Sequence, residues 1–287
     1  MLGRPRLYRH FEGDAPAMRP VPEQSAGPSW PPEWRVPDWP VPPGVRAVFS
    51  TRHGGVSQPP WDRLNLGDHV GDAAADVAAN RAIFRAATGS VPVFMRQPHG
   101  TGCIDLDRLP ADAVPEADAC TASRPGLACT VMVADCLPVL LSCVRGRAVA
   151  AAHAGWRGLA AGVLESCVAA LRCRLGDPAA PLQAWLGPCI GPGAFEVGDE
   201  VRQAFAGPDA GAQGFFRPAG HPGKWHADLA GLARRRLQAA GLRQVWGNDG
   251  GPGWCTVADA SRFFSHRRDA VRLGSTGRMA ASIWRCG

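Results

Sequence analysis

Two apolar runs of strand length, Ala128 to Val133 and Val139 to Val144, flank the short segment ADCLP, and a third, Ala148 to Ala152, follows closely. Such runs read as core strands, so this chain must build a sheet into its interior. Other strand-like pieces are VRAVFST from Val45, VPVFMRQ, LQAWL, QVWG and SIW. Helical patterns alternate with them: DAAADVAANRAIFRAAT, LAAGVLESCVAALRCRLG (read as one helix stopped by Gly176), VGDEVRQAFAG and DLAGLARRRLQAAG. The mixture predicts an α/β or α+β fold. No repeat of 20 to 50 residues is present, and proline-containing segments around the strands argue against a barrel of eight βα units. Residues 1–43, with PSWPPEWRVPDWPVPPG, read as a proline-rich, poorly ordered arm. Residues 44–287 read as a single catalytic domain.

Composition excludes several classes of function. The net charge of +6 comes almost entirely from arginine, Lys224 being the one lysine. That charge is spread along the chain, with no finger, homeodomain or RNA-binding signature, so nucleic acid is not an expected partner. No apolar run reaches transmembrane length, and MLGRPRLYRHFEGDAPAMRP lacks the apolar centre of a secretory leader. The ten cysteines are scattered, with no CxxC pair. We therefore expect a cytoplasmic monomer or homodimer with free thiols and no membrane partner.

Three residues follow or interrupt predicted strands within glycine-rich or apolar segments: His99 in MRQPHGTG, Cys136 in VMVADCLPVLL and His153 in VAAAHAGWRG. Two imidazoles and a thiolate suit a zinc ion with one open position. Separations of 37 residues (99 to 136) and 17 (136 to 153) are too long for a finger-type site and suit three separate strands. A structural zinc closes its shell with a fourth protein ligand, and none is evident, since Asp135 and Cys136 are adjacent and point apart on a strand. Taken singly, Cys136 also reads as a small buried residue or as a nucleophile with His153 as base.

Other segments carry polar groups in tight loops. STRHGGVS places Arg52 before a double glycine suited to an anion, or to an ordinary turn. NLGDHVGD holds Asn65 and Asp68, GPCIGPGAFEVG holds Glu196, and AAHAGWRG continues to Arg157. FFSHRRD and GRMA bring Arg267, Arg268 and Arg278, which suit phosphate or surface carboxylates. There is no P-loop, GxGxxG, HExxH or GxSxG. The HxE…PCxxC deaminase signature is missing, and eight scattered histidines do not make a multicopper array.

Taken in order, STRHGGVS, NLGDHVGD, QPHG, ADCLPVLL, AAHAGWRG, GPCIGPGAFEVG, FFSHRRD and GRMA give a pattern that resembles the YfiH family, also called the laccase-domain or polyphenol-oxidase-like family. The resemblance runs from Trp39 to Trp284. It implies one domain of layered mixed sheets flanked by helices. It also implies a zinc-dependent purine nucleoside phosphorylase with accompanying adenosine deaminase and methylthioadenosine phosphorylase activity. By motif, zinc falls to His99, Cys136 and His153. Pro98 departs from the valine usual before the first histidine. On this reading purine nucleosides and phosphate are the partners. Arg52 or Arg157 clamps phosphate, Asn65 bonds ribose or base, and Glu196 lies in a loop against the ligand. Two rival readings remain open: a Cys/His amide hydrolase acting in peptidoglycan-precursor editing, and a non-catalytic nucleoside-binding module.

Overall fold

The computed structural model describes residues 30–110 and 113–287. In chain order the elements are β1 (Val45–Phe49), α1 (Ala74–Thr88), β2 (Val91–Val93), β3 (Cys103–Asp105), β4 (Ala119–Ala122), β5 (Leu127–Val133), β6 (Leu137–Cys143) and β7 (Val149–Ala154). There follow α2 (Trp156–Ala161), α3 (Val163–Leu175), β8 (Leu182–Leu186), β9 (Glu196–Gly198), α4 (Asp199–Ala206), β10 (Phe216–Pro218) and β11 (Lys224–Ala227). The chain closes with α5 (Leu229–Ala239), β12 (Gln244–Gly247), α6 (His266–Leu273) and β13 (Met279–Arg285). The predicted mixed α/β architecture is observed. No helix among the described residues is long and apolar enough to cross a membrane.

Two mixed sheets stack through the centre. One has the order β1-β13-β5-β2 and the other β12-β8-β6-β7-β4-β3, while β10-β11-β9 form a small third sheet. The continuous apolar runs have the two-sided burial that strands between covering layers require. Alternate residues of β5 go to different layers. Cys129, Val131 and Val133 face the core between the sheets, whereas Ala128 and Met132 pack with Phe84 of α1. On β7, Val149 and Ala151 join the inter-sheet core, and Ala150 and Ala152 pack with Leu164, Cys167 and Leu171 of α3. The order is therefore α1, four-stranded sheet, six-stranded sheet, then α3 with α5. Because side chains alternate with period two, His153 continues the Val149–Ala151 face and emerges at the end of the inter-sheet layer.

Two expectations about chain organisation are corrected. The body begins before Val45, because Trp34 and Trp39 are each only 5% exposed. Trp34 packs on Phe84 with ring centroids 5.2 Å apart, and Trp39 enters the inter-sheet core. Prolines are tolerated here because the segment meets the sheet at its edge, through the single Arg35–Phe49 bridge beside β1. The rest of the expected arm, residues 1–29, lies outside the described residues. The expected single helix ending at Gly176 is two, because Gly162 takes φ +107° and separates α2 from α3. Truncating Trp34 to alanine should cost about 3 kcal/mol, the order expected for emptying an aromatic core site. Chemical denaturation measures this; a value within about 0.5 kcal/mol of zero, as at an ordinary surface position, would place Trp34 outside the core.

Candidate metal centre and active site

The ligand trio assembles at the mouth of the inter-sheet layer. His153 lies on β7, Cys136 in the tight turn joining β5 to β6, and His99 in the loop after β2, so one of the three is on a strand. One donor atom from each lies within 4.8 Å of the others. The His99 and His153 rings meet edge to face, 4.8 Å between centroids, and Cys136 Sγ lies 3.8 Å from His99 Nε2. Two tetrahedral zinc ligands, one sulfur and one nitrogen, are separated by about 3.6 Å given usual bond lengths. The donor set and its spacing therefore fit such an ion.

The backbone is committed to this arrangement. His99 adopts φ +66°, as uncommon for a non-glycine residue as the φ +86° of neighbouring Asp135. A Cβ on Gly155 would lie 2.8 Å from His99 Cδ2 and 3.0 Å from Cys136 Sγ, and one on Gly158 would lie 2.7 Å from the Gly100 carbonyl. The two glycines after His153 thus let α2 start against the ligands. Asp118, fully buried, accepts hydrogen bonds from His153 Nδ1 (2.8 Å), the His99 amide (3.0 Å) and the Gly100 amide (2.6 Å).

Electrostatics divides the charge between sulfur and nitrogen. Burial pushes the Cys136 thiol up, but the facing His153 charge and hydrogen bonds from both histidines bring it down to about 6. Burial pushes the His153 imidazole down, and the Cys136 charge and the Asp118 carboxylate raise it to about 9. Without metal the pair is a thiolate facing an imidazolium. A metal ion held by the trio would take the place of the His153 proton, with the neutral imidazole nitrogen as its ligand.

The trio opens into a cavity of about 620 Å³, within the range of small-molecule sites. Phe94, Val114, Met132, Phe195 and Leu229 give it apolar walls, and Asp68, His69, Arg96 and Arg278 supply polar groups. Arg278 is half-buried. Its Nη1 donates to the carbonyls of Thr276 (3.0 Å) and Gly277 (3.2 Å), and its other guanidinium donors make no hydrogen bond among the described residues. Burial, reinforced by the Arg278 charge, holds His69 below the usual imidazole range, so it is neutral at pH 7.

Of the other sequence candidates, Arg52, Asn65, Arg157, Glu196 and Arg268 do not line the cavity. Arg52 donates to the carbonyls of Asp62 and Ala260 and pairs with the Asp62 carboxylate at 3.1 Å. Those bonds use its donors to clamp a loop. Arg157 is exposed and lies over the Trp156 ring at 4.5 Å. Glu196 is exposed on β9, and it is its carbonyl that is used, accepting from Arg267 at 3.1 Å. Asn65 is buried, and its Oδ1 accepts from the Gly67 amide and the Arg278 amide, each at 2.9 Å. It therefore braces the Arg278 segment instead of facing a ligand. Arg268 pairs with Asp269 at 2.7 Å, whereas Arg267 and Arg278 do reach the cavity.

Sequence reasoning missed Asp118 and His69. An acid set between small apolar residues in EADACTA was the available sign, since a carboxylate is not buried without donors.

Comparison with known proteins places this geometry. A profile described as multi-copper polyphenol oxidoreductase laccase matches residues 46–286. The chain is 50% identical over 251 residues to the purine nucleoside phosphorylase YfiH of Escherichia coli K12, covering 87% of this chain and 97% of the relative. A purine nucleoside phosphorylase of Pseudomonas aeruginosa is 48% identical over 251 residues, 88% of this chain and 98% of that one. Among solved structures, a Neisseria meningitidis protein of the DUF152 family superimposes with TM-score 0.81 at 43% identity, covering 89% of this chain and all of that one. YlmD from Geobacillus stearothermophilus gives 0.76 at 32% identity, covering 85% and 93%. With the fold and nearly the whole length in common, the chain belongs to the laccase-like family that includes the YfiH proteins.

Proposed function

We propose that the chain is a zinc-dependent purine nucleoside phosphorylase that converts adenosine, inosine or guanosine and phosphate to the free base and ribose 1-phosphate. The observation that carries this reading is the His99–Cys136–His153 trio opening into a nucleoside-sized cavity beside an Arg278 guanidinium whose Nε and Nη2 have no partner among the described residues. The names of the relatives support it. One N₂S donor set suits zinc, and among the described residues it is the one group of its kind.

A zinc ion held by the trio would supply a Lewis acid and a fixed positive charge. The chain's own groups do the rest. Arg278 grips two phosphate oxygens through its open donors, and neutral His69 adds a hydrogen bond from the same wall. A phosphate oxygen then forms the bond to ribose C1′ as the C1′–N9 bond breaks, and the phosphate proton passes to the departing purine. The apolar wall takes the base and excludes water that would hydrolyse the sugar. We assign the same cavity to methylthioadenosine, whose 5′-methylthio group suits the apolar lining, and to hydrolytic deamination of adenosine to inosine and ammonia.

A second reading has one observation in its favour. Cys136, His153 and Asp118 also have the order of nucleophile, base and orienting carboxylate, the arrangement of a Cys/His amide hydrolase. Incubation of metal-replete protein with adenosine or inosine, with and without phosphate, separates the two. Hypoxanthine should appear from inosine only with phosphate, and inosine from adenosine under both conditions. Absence of both products would end the phosphorylase and deaminase readings.

A further inference from the structure

We propose that Asp118 is the positioning residue of the metal centre, a single carboxylate that sets both histidine ligands at once. The inference rests on the metal-site reading of the trio and not on the nucleoside chemistry. Asp118 is 0% exposed. Its Oδ1 accepts from His153 Nδ1 and from the His99 amide, its Oδ2 accepts from the Gly100 amide, and its own carbonyl accepts from the His153 amide at 2.7 Å. Two consequences follow. With Nδ1–H committed to the carboxylate, His153 has Nε2 left for a metal, so tautomer and ligating atom are fixed together. His99 lies in a loop outside any strand or helix, at a φ that a β-carbon disfavours. The two amide bonds to Asp118 hold that loop in the strained form, which turns the His99 ring toward Cys136.

Among the described residues, every hydrogen bond to the side chain of Asp118 comes from an N–H donor, and no cation other than His153 bonds to it. The carboxylate is therefore matched to its site by acceptor number. An asparagine of nearly the same shape has one acceptor oxygen and must present its NH₂ either to the Gly100 amide or to the His99 amide and His153 Nδ1–H. One face of the clamp is lost in either orientation, while packing volume is retained.

Zinc affinity of full-length Asp118→Asn, measured by competition with a chromophoric chelator, should fall about 10- to 100-fold. The cobalt-substituted variant should also show an altered visible spectrum, which a purely structural role would leave unchanged. Unchanged affinity and spectrum would overturn the assignment. If the variant does not fold, the wild-type protein still decides. Nitrogen NMR of the His153 ring, assigned by its loss in His153→Gln, should show Nδ1 protonated in the zinc-loaded state with the metal on Nε2. Metal on Nδ1 would refute the proposal. Neither readout involves nucleoside, so failure of the phosphorylase reading would leave both intact.

Discussion

Cys136→Ala should fold, lose tight zinc binding and lose phosphorolysis. The residue sits in a turn between β5 and β6, two strands buried at every position but Leu127. The sheet is held by their neighbours: β5 pairs with β13 and β2, and β6 with β7 and β8. Removing one sulfur from the turn leaves that pairing untouched. Its effect on metal is far larger. A zinc site at pH 7 is worth about 10–16 kcal/mol over four ligands, so one ligand contributes roughly 3 kcal/mol, or about two orders of magnitude in affinity. Cys136→Ala also removes the negative charge facing His153, and the remaining two imidazoles are a weaker pair for zinc. Metal analysis after gel filtration and product analysis on the same sample check this. Full phosphorolysis at one zinc per chain in the variant would remove Cys136 from the ligand set. Activity retained without bound metal would remove zinc from the reaction.

The sheets and the ligand trio were legible because both are local signals. The runs around ADCLP and before His153 are apolar at every position but Thr130 and Ser142, a pattern that suits strands buried on both faces. A histidine or cysteine at the edge of such a run stands out against it. What was not legible depends on partners far away in the chain. Asn65, in the segment between β1 and α1, and Arg278, just before β13, are joined by one hydrogen bond between residues 213 apart in the chain. From sequence, Asn65 therefore looked like a ligand-binding residue when its bonds serve to brace another segment. Arg52 was attractive for its double glycine, yet the carbonyls that take its donors come from residues 62 and 260. The described part of the expected arm, residues 30–43, departs from the expectation for a different reason. Proline content argues against regular structure, but Trp34 and Trp39 bury enough apolar surface to pin an irregular segment. Asp118 was hidden because the pairing of an acid with a histidine 35 residues away is set by β4 meeting β7.

Arg278→Gln should raise the phosphate KM about 10- to 100-fold while leaving the zinc content unchanged. A charge-assisted hydrogen bond is worth roughly 1.5–3 kcal/mol, and a bidentate guanidinium fork supplies two in one geometry. Glutamine keeps part of the stem that packs against Gly67, and the backbone amide of residue 278 still reaches Asn65. The loss therefore falls on the anion. Deamination of adenosine uses water in place of phosphate, so its rate should change less than threefold, a loss of about 0.7 kcal/mol or less. Arg278→Lys should lie between, because it restores charge without the fork. Asn65→Ala should reproduce a weaker form of the same defect from a distance, since it leaves the Gly67 and Arg278 amides without their acceptor. Initial rates at varied phosphate, with inosine saturating, measure each case. If the phosphate KM of Arg278→Gln equals that of the wild type, the anion lies elsewhere in the cavity, and Arg96, exposed in the segment between β2 and β3 and without a side-chain partner among the described residues, becomes the residue to change.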